Sequence, residues 1–252
     1  MTKATLSGHP AIDRYLTEAY ASVPGMSSRF AAGICGHLVR RQTELGIAGD
    51  VVEIGAFEGR FLIALALGLA PGERAFGFDT FDWPDAGIEA RFNANCARHG
   101  VGDRVVGIRR DSRSLDAAAL RALLGERPVR FVHIDGDHGL ASLTHDLALA
   151  QAVLHPQGIL CLDDMLHPEF PFLVVAVHAW LQAHPEMRLF CVVDREDVTA
   201  AAKFLIGRAD AVALYEADLM ESFRPVQYIM GGDALGHHCV VLTPEPKLAA
   251  IR

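Results

Sequence analysis

Three aspartates near the ends of two predicted strands could form a binding site for a divalent cation. The run FVHIDGDH places Asp135 directly after an apolar stretch, and LDDM places Asp163 and Asp164 after the next one. Neighbouring strands lie about 4.8 Å apart, so carboxylates at their tips would crowd together and resist ionisation unless a cation neutralised them. Oxygen ligands favour Mg²⁺, or less often Mn²⁺ or Ca²⁺, whereas Zn²⁺ prefers nitrogen and sulfur.

His138 follows Asp135 by three residues and is the candidate catalytic group. From that position its imidazole can point toward a substrate hydroxyl held beside the cation. An imidazole with its ordinary pKa of about 6.5 can accept a proton near neutral pH. We therefore predict that His138 is the general base. The alternative is a structural histidine that caps the following helix or braces Asp135.

A glycine turn follows the first predicted strand. In VVEIGAFEGR, Gly55 permits a tight turn with positive φ, and Gly59 lets the next helix pack closely on the strand. A dinucleotide turn has the spacing GxGxxG, and its second glycine makes room for a pyrophosphate. Phe57 occupies that position, which disfavours a nicotinamide cofactor. Alternatively, the two glycines only turn the chain and bind nothing.

Asp79 ends the second predicted strand, FGFD, twenty residues beyond Gly59. Ligands of open α/β sheets bind outside the carboxyl ends of the strands. A carboxylate there can accept hydrogen bonds from both hydroxyls of a ribose. Taken alone, Asp79 would be interpreted as a solvated acid, but combined with the glycine turn it predicts a ribose-containing cofactor.

The spacing ExGxxxG, from Glu53 to Gly59, resembles the first motif of class I S-adenosylmethionine-dependent methyltransferases. Asp79 lies where the second motif of that family has its acid. Asp111 and Ser112 fall where the family often contacts adenine, although either residue could equally cap the helix that follows. The resemblance implies a set of S-adenosylmethionine-binding residues: Glu53, Gly55, Gly59, Asp79, Asp111, Ser112 and Asp135.

The acidic residues resemble the metal site of cation-dependent small-molecule O-methyltransferases, including the catechol type. In that pattern an aspartate after the fourth strand and an acid–amide pair after the fifth bind Mg²⁺, and a lysine serves as base. Here the pair is Asp163-Asp164, and His138 takes the position of the lysine. The strings IDGDH and LDD are more similar to bacterial methyltransferases that modify sugars and hydroxyls of macrolides and other secondary metabolites.

This resemblance covers about Val51 to Asp164 and implies metal-dependent O-methylation of a small hydroxylated metabolite in secondary metabolism. Its implied metal ligands are Asp135, Asp163 and Asp164. Arg60 departs from the bacterial relatives, which usually carry a smaller residue after the motif glycine. Arg60 is a candidate partner for the carboxylate of the cofactor.

Short apolar runs alternate with helical stretches along the chain, a pattern typical of βαβ units and a parallel sheet. The predicted strands are Val51–Ile54, Ala75–Phe78, Val105–Ile108, Phe131–Ile134, Ile159–Leu162, Leu189–Val193 and Ala202–Ile206, with Cys239–Leu242 as a candidate edge strand. We expect an α/β, Rossmann-like, doubly wound and mostly parallel seven-stranded sheet with helices on both faces. We interpret residues 1–252 as one domain, with a helical cap or lid over residues 1–48 and a cofactor-binding, catalytic core over residues 49–252.

Composition narrows the class of partner. The chain has 252 residues, 51% of them hydrophobic, and a formal net charge of −8, which disfavours a nucleic-acid or anionic-membrane partner. Its longest strongly apolar run, Phe61 to Ala70, is far shorter than the roughly 20 residues of a membrane span. The five cysteines are scattered without a CxxC pair, which argues against a disulfide framework or zinc knuckle. We expect a cytoplasmic protein that acts on a small molecule, and the sequence leaves a homo-oligomer open.

Three other functions stay open at this point. The first is a methyltransferase of the same fold that uses no metal and acts on nitrogen or oxygen. The second is a nicotinamide-dependent oxidoreductase, which Phe57 disfavours. The third is a non-catalytic cofactor-binding protein, against which the clustered carboxylates argue because such clusters are costly without a task.

Overall fold

Strands and helices alternate along the chain from residue 50 to residue 193. The structure is a computed structural model that describes residues 6–197, 199–223 and 228–244. The strands in this part are β1 (Asp50–Ile54), β2 (Ala75–Asp79), β3 (Val105–Arg109), β4 (Val129–Ile134), β5 (Leu154–Met165), β6 (Met187–Val193), β7 (Ala202–Arg208), β8 (Tyr228–Ala234) and β9 (His237–Thr243). The helices are α1 (Pro10–Glu18), α2 (Arg29–Glu44), α3 (Arg60–Ala66), α4 (Ile88–Arg98), α5 (Ala117–Leu124), α6 (Leu140–Val153), α7 (Phe172–Ala183) and α8 (Ala213–Phe223).

The strands form one sheet in the order β3-β2-β1-β4-β5-β7-β6-β9-β8. β1 to β6 and β9 run in one direction, whereas β7 and β8 run antiparallel to their neighbours. The strand order reverses at β1, where β2 lies on one side and β4 on the other. Ligand sites of doubly wound folds lie at such a switch point, outside the carboxyl ends of the strands.

The predicted mostly parallel sheet with helices on both faces is confirmed, but the predicted number of seven strands is wrong. Nine strands are described, because a β8–β9 hairpin extends the sheet beyond β6. Cys239–Leu242 therefore lies inside the sheet rather than at its edge. The sequence conceals β8 because Gly231, Gly232 and Asp233 are residue types depleted in strands. A two-residue turn with positive φ at both Leu235 and Gly236 closes the hairpin.

Alternate residues of the central strands pack into two separate cores, one on each face of the sheet. Val51, Phe131 and Ile159 point into the first core, and Val52, Val132 and Leu160 point into the second. Helices α1, α2, α3, α4 and α8 cover the first face, and α5, α6 and α7 cover the second. None of the helices in the described ranges is long and apolar enough to cross a bilayer.

The N-terminal helices belong to the first helical layer. Ser28 caps α2, because its side chain accepts a hydrogen bond of 2.9 Å from the backbone N–H of Ala31. The apolar face of α2 is buried in the same core as α3. Just before α2 the chain passes over the carboxyl ends of the strands, so Ser27 reaches Asp135 and Asp163 at the ends of β4 and β5.

Candidate active site

A cavity of about 570 Å³ opens at the carboxyl ends of the central strands. Nine of the ten predicted site residues line it: Glu53, Gly55, Asp79, Asp111, Ser112, Asp135, His138, Asp163 and Asp164. The exception is Gly59, which precedes α3 as its N-cap with φ +84° and packs against the Phe92 ring. The structure thus brings the predicted residues together, while the function of each stays a prediction.

Gly55 lets the ends of β1 and β4 approach each other closely. Its φ is +88°, and a Cβ atom built on it would lie 1.9 Å from the carbonyl oxygen of Asp135. No side chain fits there without moving the backbone of the β4 tip. The close contact between the ends of β1 and β4 therefore explains why the motif has a glycine at position 55.

Asp79 is held in place by two backbone N–H groups. Phe57 N donates to its Oδ2 at 2.8 Å, and Phe81 N donates to its Oδ1 at 2.8 Å. Each carboxylate oxygen keeps a further lone pair for a ligand hydroxyl. Phe57 adopts a left-handed backbone with φ +46°, and its ring lies 5.6 Å from that of Trp83, which is 65% exposed. The predicted ribose acid thus stands beside an aromatic wall.

Asp111 caps the short 3-10 helix Ser112–Ser114, which is one of the two alternatives that the sequence left open. Its carboxylate accepts from Arg113 N at 2.9 Å and forms an ion pair with the Arg113 guanidinium at 2.7 Å. The backbone carbonyl of Ser112 accepts a hydrogen bond from His145 on α6. Both residues line the cavity, and their predicted contact with adenine is untested.

Asp146 lies on α6. From the sequence an aspartate in this helix is expected to be solvated, but Asp146 is only 1% exposed. Its Oδ1 has no hydrogen-bond partner among the residues that the structure describes. Burial raises the pKa of Asp146 to about 6, with smaller contributions from Asp111 and Asp137, while Ser112 and His145 oppose the increase.

We expect Asp146→Asn to stabilise the protein increasingly as the pH rises from about 4 to about 7, and then to level off. The unfolded carboxyl ionises at its ordinary pKa, whereas the folded one resists until about 6. Folding therefore becomes less favourable through this window for wild type but not for the variant. At neutral pH, the pH-dependent part of the difference in free energy of unfolding between variant and wild type is at most about 3 kcal/mol. Urea unfolding at several pH values measures it, and a pH-independent difference would contradict the prediction.

A buried polar network lies beneath the cavity and includes Lys203, which the sequence did not single out. Lys203 stands on β7 and is 0% exposed. Its Nζ forms an ion pair with Asp163 and lies 3.1 Å from Nε2 of His133. An ammonium only donates, so Nε2 accepts, and the proton on Nδ1 of His133 faces Glu53 Oε1 at 2.7 Å. The feature of the sequence that could have identified Lys203 is its position within the otherwise apolar run AKFLI.

Ser27 connects the N-terminal segment to the acidic residues. Its hydroxyl lies 2.9 Å from Asp163 Oδ2 and 3.2 Å from Asp135 Oδ2, and it donates to one of them at a time. Burial and the neighbouring Asp163 raise the pKa of Asp135. Burial would also raise the pKa of Asp163, but the Lys203 ammonium lowers it well below its usual range. Asp135 therefore lacks the positive partner that Asp163 has.

His138 stands at the cavity wall and contacts Asp164. Its Nε2 lies 2.6 Å from Asp164 Oδ2, and its ring stacks on Phe170 with centroids 4.0 Å apart. The hydrogen bond with Asp164 raises the pKa of His138, against the opposing effect of burial. Asp164 itself adopts a left-handed backbone with φ +57°. Strained conformations of this kind cluster at functional sites.

The donor atoms of this region fit a divalent cation. Ligand atoms of Asp135, His138 and Asp164 lie within 4.8 Å of one another, and so do those of His133, Asp135 and Asp163. Carboxylate oxygens suit Mg²⁺ or Mn²⁺, and a cation would neutralise Asp135. In the second group, however, Lys203 already contacts Asp163.

Arg60 contacts the N-terminal segment. Its guanidinium donates to the carbonyl oxygens of Tyr20 and Gly25 and lies 4.3 Å above the Tyr20 ring. The side chain also lines the cavity. Arg60 therefore holds the loop that carries Ser27, a function that its position after the motif glycine did not indicate.

Comparison with known proteins identifies a family model that covers most of the residues at the cavity. A family model described as "Methyltransferase domain" matches residues 52–165. That range contains the glycine turn, Asp79 and the aspartates at the ends of β4 and β5. No curated protein sequence matches the chain.

Three solved structures illustrate the fold to which the chain is similar. One is an O-methyltransferase from Bacillus cereus in complex with SAH, with 18% identity, a TM-score of 0.58, and coverage of 79% of this chain and 90% of that chain. The second is TomG from Streptomyces achromogenes, an O-methyltransferase involved in tomaymycin synthesis, in complex with SAM, with 19% identity, a TM-score of 0.57 and coverage of 82% and 91%. The third is CalS11, a TDP-rhamnose 3'-O-methyltransferase in calicheamicin biosynthesis, with 19% identity, a TM-score of 0.53 and coverage of 81% and 89%.

Proposed function

This chain carries a class I methyltransferase domain over residues 52–165, and from that premise we propose that it methylates a hydroxyl group of a small metabolite. The methyl donor is S-adenosylmethionine, and a divalent cation, Mg²⁺ in the first instance, assists the transfer. The structurally similar enzymes of tomaymycin and calicheamicin biosynthesis support a substrate from secondary metabolism.

One observation carries this proposal. A single cavity joins the glycine turn and Asp79, where a nucleoside fits, to His138 and the paired acids Asp135 and Asp164. A cofactor-binding protein without activity would not need a base and an acidic pair next to its ligand. The metal-independent alternative is favoured by a different observation, the Lys203 ammonium that already neutralises Asp163.

The reaction requires alignment and removal of one proton. The hydroxyl oxygen attacks the sulfonium methyl carbon, a C–O bond forms, and the C–S bond breaks to leave a neutral thioether. His138 takes the hydroxyl proton on Nε2, which requires the imidazole to exchange its contact with Asp164 for the substrate. Phe170 keeps the ring plane fixed by stacking. Such positioning and general-base catalysis are established sources of rate.

A cation, when bound, would orient the hydroxyl and lower its pKa. Asp135 and Asp164 are the residues that would hold it, and Asp163 was the third ligand that the sequence predicted. The segment before α2 and the residues after Asp164 would enclose the substrate within a single domain that spans residues 1–252. Met26, 53% exposed and at the cavity wall, belongs to this enclosing segment.

Cofactor binding is the direct test of the proposal. Calorimetry should detect S-adenosylmethionine binding, and Asp79→Ala should weaken it by about 1.5–3 kcal/mol, as the loss of hydrogen bonds to a charged group does. Because Asp79 also accepts from Phe57 and Phe81, melting curves should accompany the measurement.

Asp82→Ala is the matched control, since this exposed acid lies three residues further along the chain and outside the cavity wall. The control should bind the cofactor as wild type does. Micromolar binding of NADH without binding of S-adenosylmethionine would show that the protein is an oxidoreductase instead.

A further inference from the structure

Lys203 is a charged residue in the interior of the protein. It lies on β7, which pairs antiparallel with β5 through Leu162 and Phe204. Its side chain is fully buried beneath the cavity, next to the tips of β4 and β5. Lysine is almost never buried unless it is paired, so the partners of its ammonium group explain its presence.

All three N–H groups of the Lys203 ammonium find acceptors. They are a carboxylate oxygen of Asp163, Nε2 of His133 at 3.1 Å and the hydroxyl oxygen of Ser27 at 3.2 Å. The Phe61 ring centroid lies 4.8 Å from Nζ and adds a cation–π contact. The ammonium is thus held at one point by groups from four different parts of the chain.

The three acidic side chains at the strand ends differ in their partners. Asp163 Oδ2 accepts from Lys203 and lies 2.9 Å from the Ser27 hydroxyl, and its Oδ1 accepts from the backbone N–H of Asp164 at 2.8 Å. Within the part of the chain that the structure describes, the Asp135 carboxylate lies within hydrogen-bond distance of the Ser27 hydroxyl, and the Asp164 carboxylate contacts His138. Asp163 therefore has an internal counter-charge, whereas the other two face the cavity with capacity to bind a cation.

We infer that Lys203 takes the place of a metal ion at Asp163, which makes Asp163 a positioning residue and leaves Asp135 and Asp164 as the carboxylate ligands of a divalent cation. This inference rests on the proposed function. A divalent cation on Asp163 Oδ2 would lie beside the ammonium and be repelled by it. The hydrogen bond from Asp164 N to Asp163 Oδ1 instead holds the backbone of Asp164 in its left-handed conformation.

The test is a titration with Mn²⁺ alone, followed by electron paramagnetic resonance, on the full chain. The double variant Lys203→Met/Asp163→Asn removes both buried charges but keeps a side-chain oxygen that can accept from Asp164 N. It should bind Mn²⁺ with a dissociation constant close to that of wild type. Asp135→Asn and Asp164→Asn should weaken binding by about 100-fold or more, because affinity follows the number of charged ligands.

Two further variants separate positioning from simple stability. Lys203→Met/Asp163→Leu removes the acceptor for Asp164 N and should cost about 10–100-fold in Mn²⁺ affinity, as is typical when a supporting hydrogen bond to a ligand is lost. Arg208→Met/Asp210→Asn removes an exposed ion pair at the end of the same strand and should leave Mn²⁺ binding unchanged.

The outcomes separate this inference from the proposed function. If the Asn double variant loses Mn²⁺ as completely as Asp135→Asn does while wild type binds it, Asp163 is a ligand and the inference is wrong, but the proposed function stands. If wild type and every variant fail to bind Mn²⁺, the metal part of the proposed function is wrong and the inference is wrong with it.

Discussion

Replacement of His138 by alanine is expected to lower kcat by about 10²–10⁴-fold, the usual contribution of a general base. The affinities for S-adenosylmethionine and Mg²⁺ should change little, because Asp79, Asp135 and Asp164 remain. The acidic limb of the pH–rate profile should flatten in the variant, since wild type loses its base form as the pH falls. Steady-state kinetics at saturating cofactor and metal, repeated across pH, measure both effects.

His155→Ala is a suitable control, because this histidine lies at the opposite end of β5, where its Nδ1 accepts a hydrogen bond from the backbone N–H of Gln157. The structure also offers a specific alternative, in which His138 braces Asp164 through their 2.6 Å contact. In that case kcat would recover at high Mg²⁺ concentration, and an acidic limb with an unchanged midpoint would persist. That result would leave the hydroxyl without a protein base at this position.

Chelation with EDTA is expected to reduce turnover by about 10²-fold or more, because metal ions supply several kcal/mol of charge stabilisation in the transition state. Addition of Mg²⁺ should restore the activity. Asp135 lies close to Asp163 and Asp164, and the repulsion between these carboxylates, which a cation would relieve, is the structural reason for this expectation. Initial rates on the true substrate are the measurement.

Binding of S-adenosylmethionine should survive chelation, because the glycine turn and Asp79 do not depend on the cation. Asp164→Asn should raise the Mg²⁺ concentration needed for half-maximal activity, whereas Asp210→Asn, an exposed acid outside the cavity, should not. Full turnover in EDTA would instead support the metal-independent methyltransferase and would identify Lys203 as sufficient to neutralise the acidic residues.

Local patterns predicted well the half of the sheet that consists of β1 to β5. The apolar runs in β1 to β5 are short and bounded by turn residues, and all of them except the run in the edge strand β3 are buried, so each one identifies a strand without reference to the others. Strand tips in a parallel sheet meet at one edge, and this rule placed Asp79, Asp135 and Asp164 at one cavity. The predictions were wrong for β8, where glycines and an aspartate form a strand only because β9 pairs with all seven residues.

The chain's local chemistry thus determined the parallel core, the glycine turn and the location of the candidate cofactor and acidic residues, because each depends on neighbours in sequence or on adjacent strand ends. Only the tertiary structure determined which side chains contact those acids. Lys203 reaches Asp163 because β7 inserts antiparallel beside β5, and Ser27 reaches both acids because Arg60 holds the preceding loop. The contacts of Asp163 with Lys203 and Ser27 join residues 40 or more positions apart. The periodicity of the sequence does not indicate which buried charged side chains will pair. Their pairing depends on the strand order and on the free-energy cost of leaving a charge unpaired in the core.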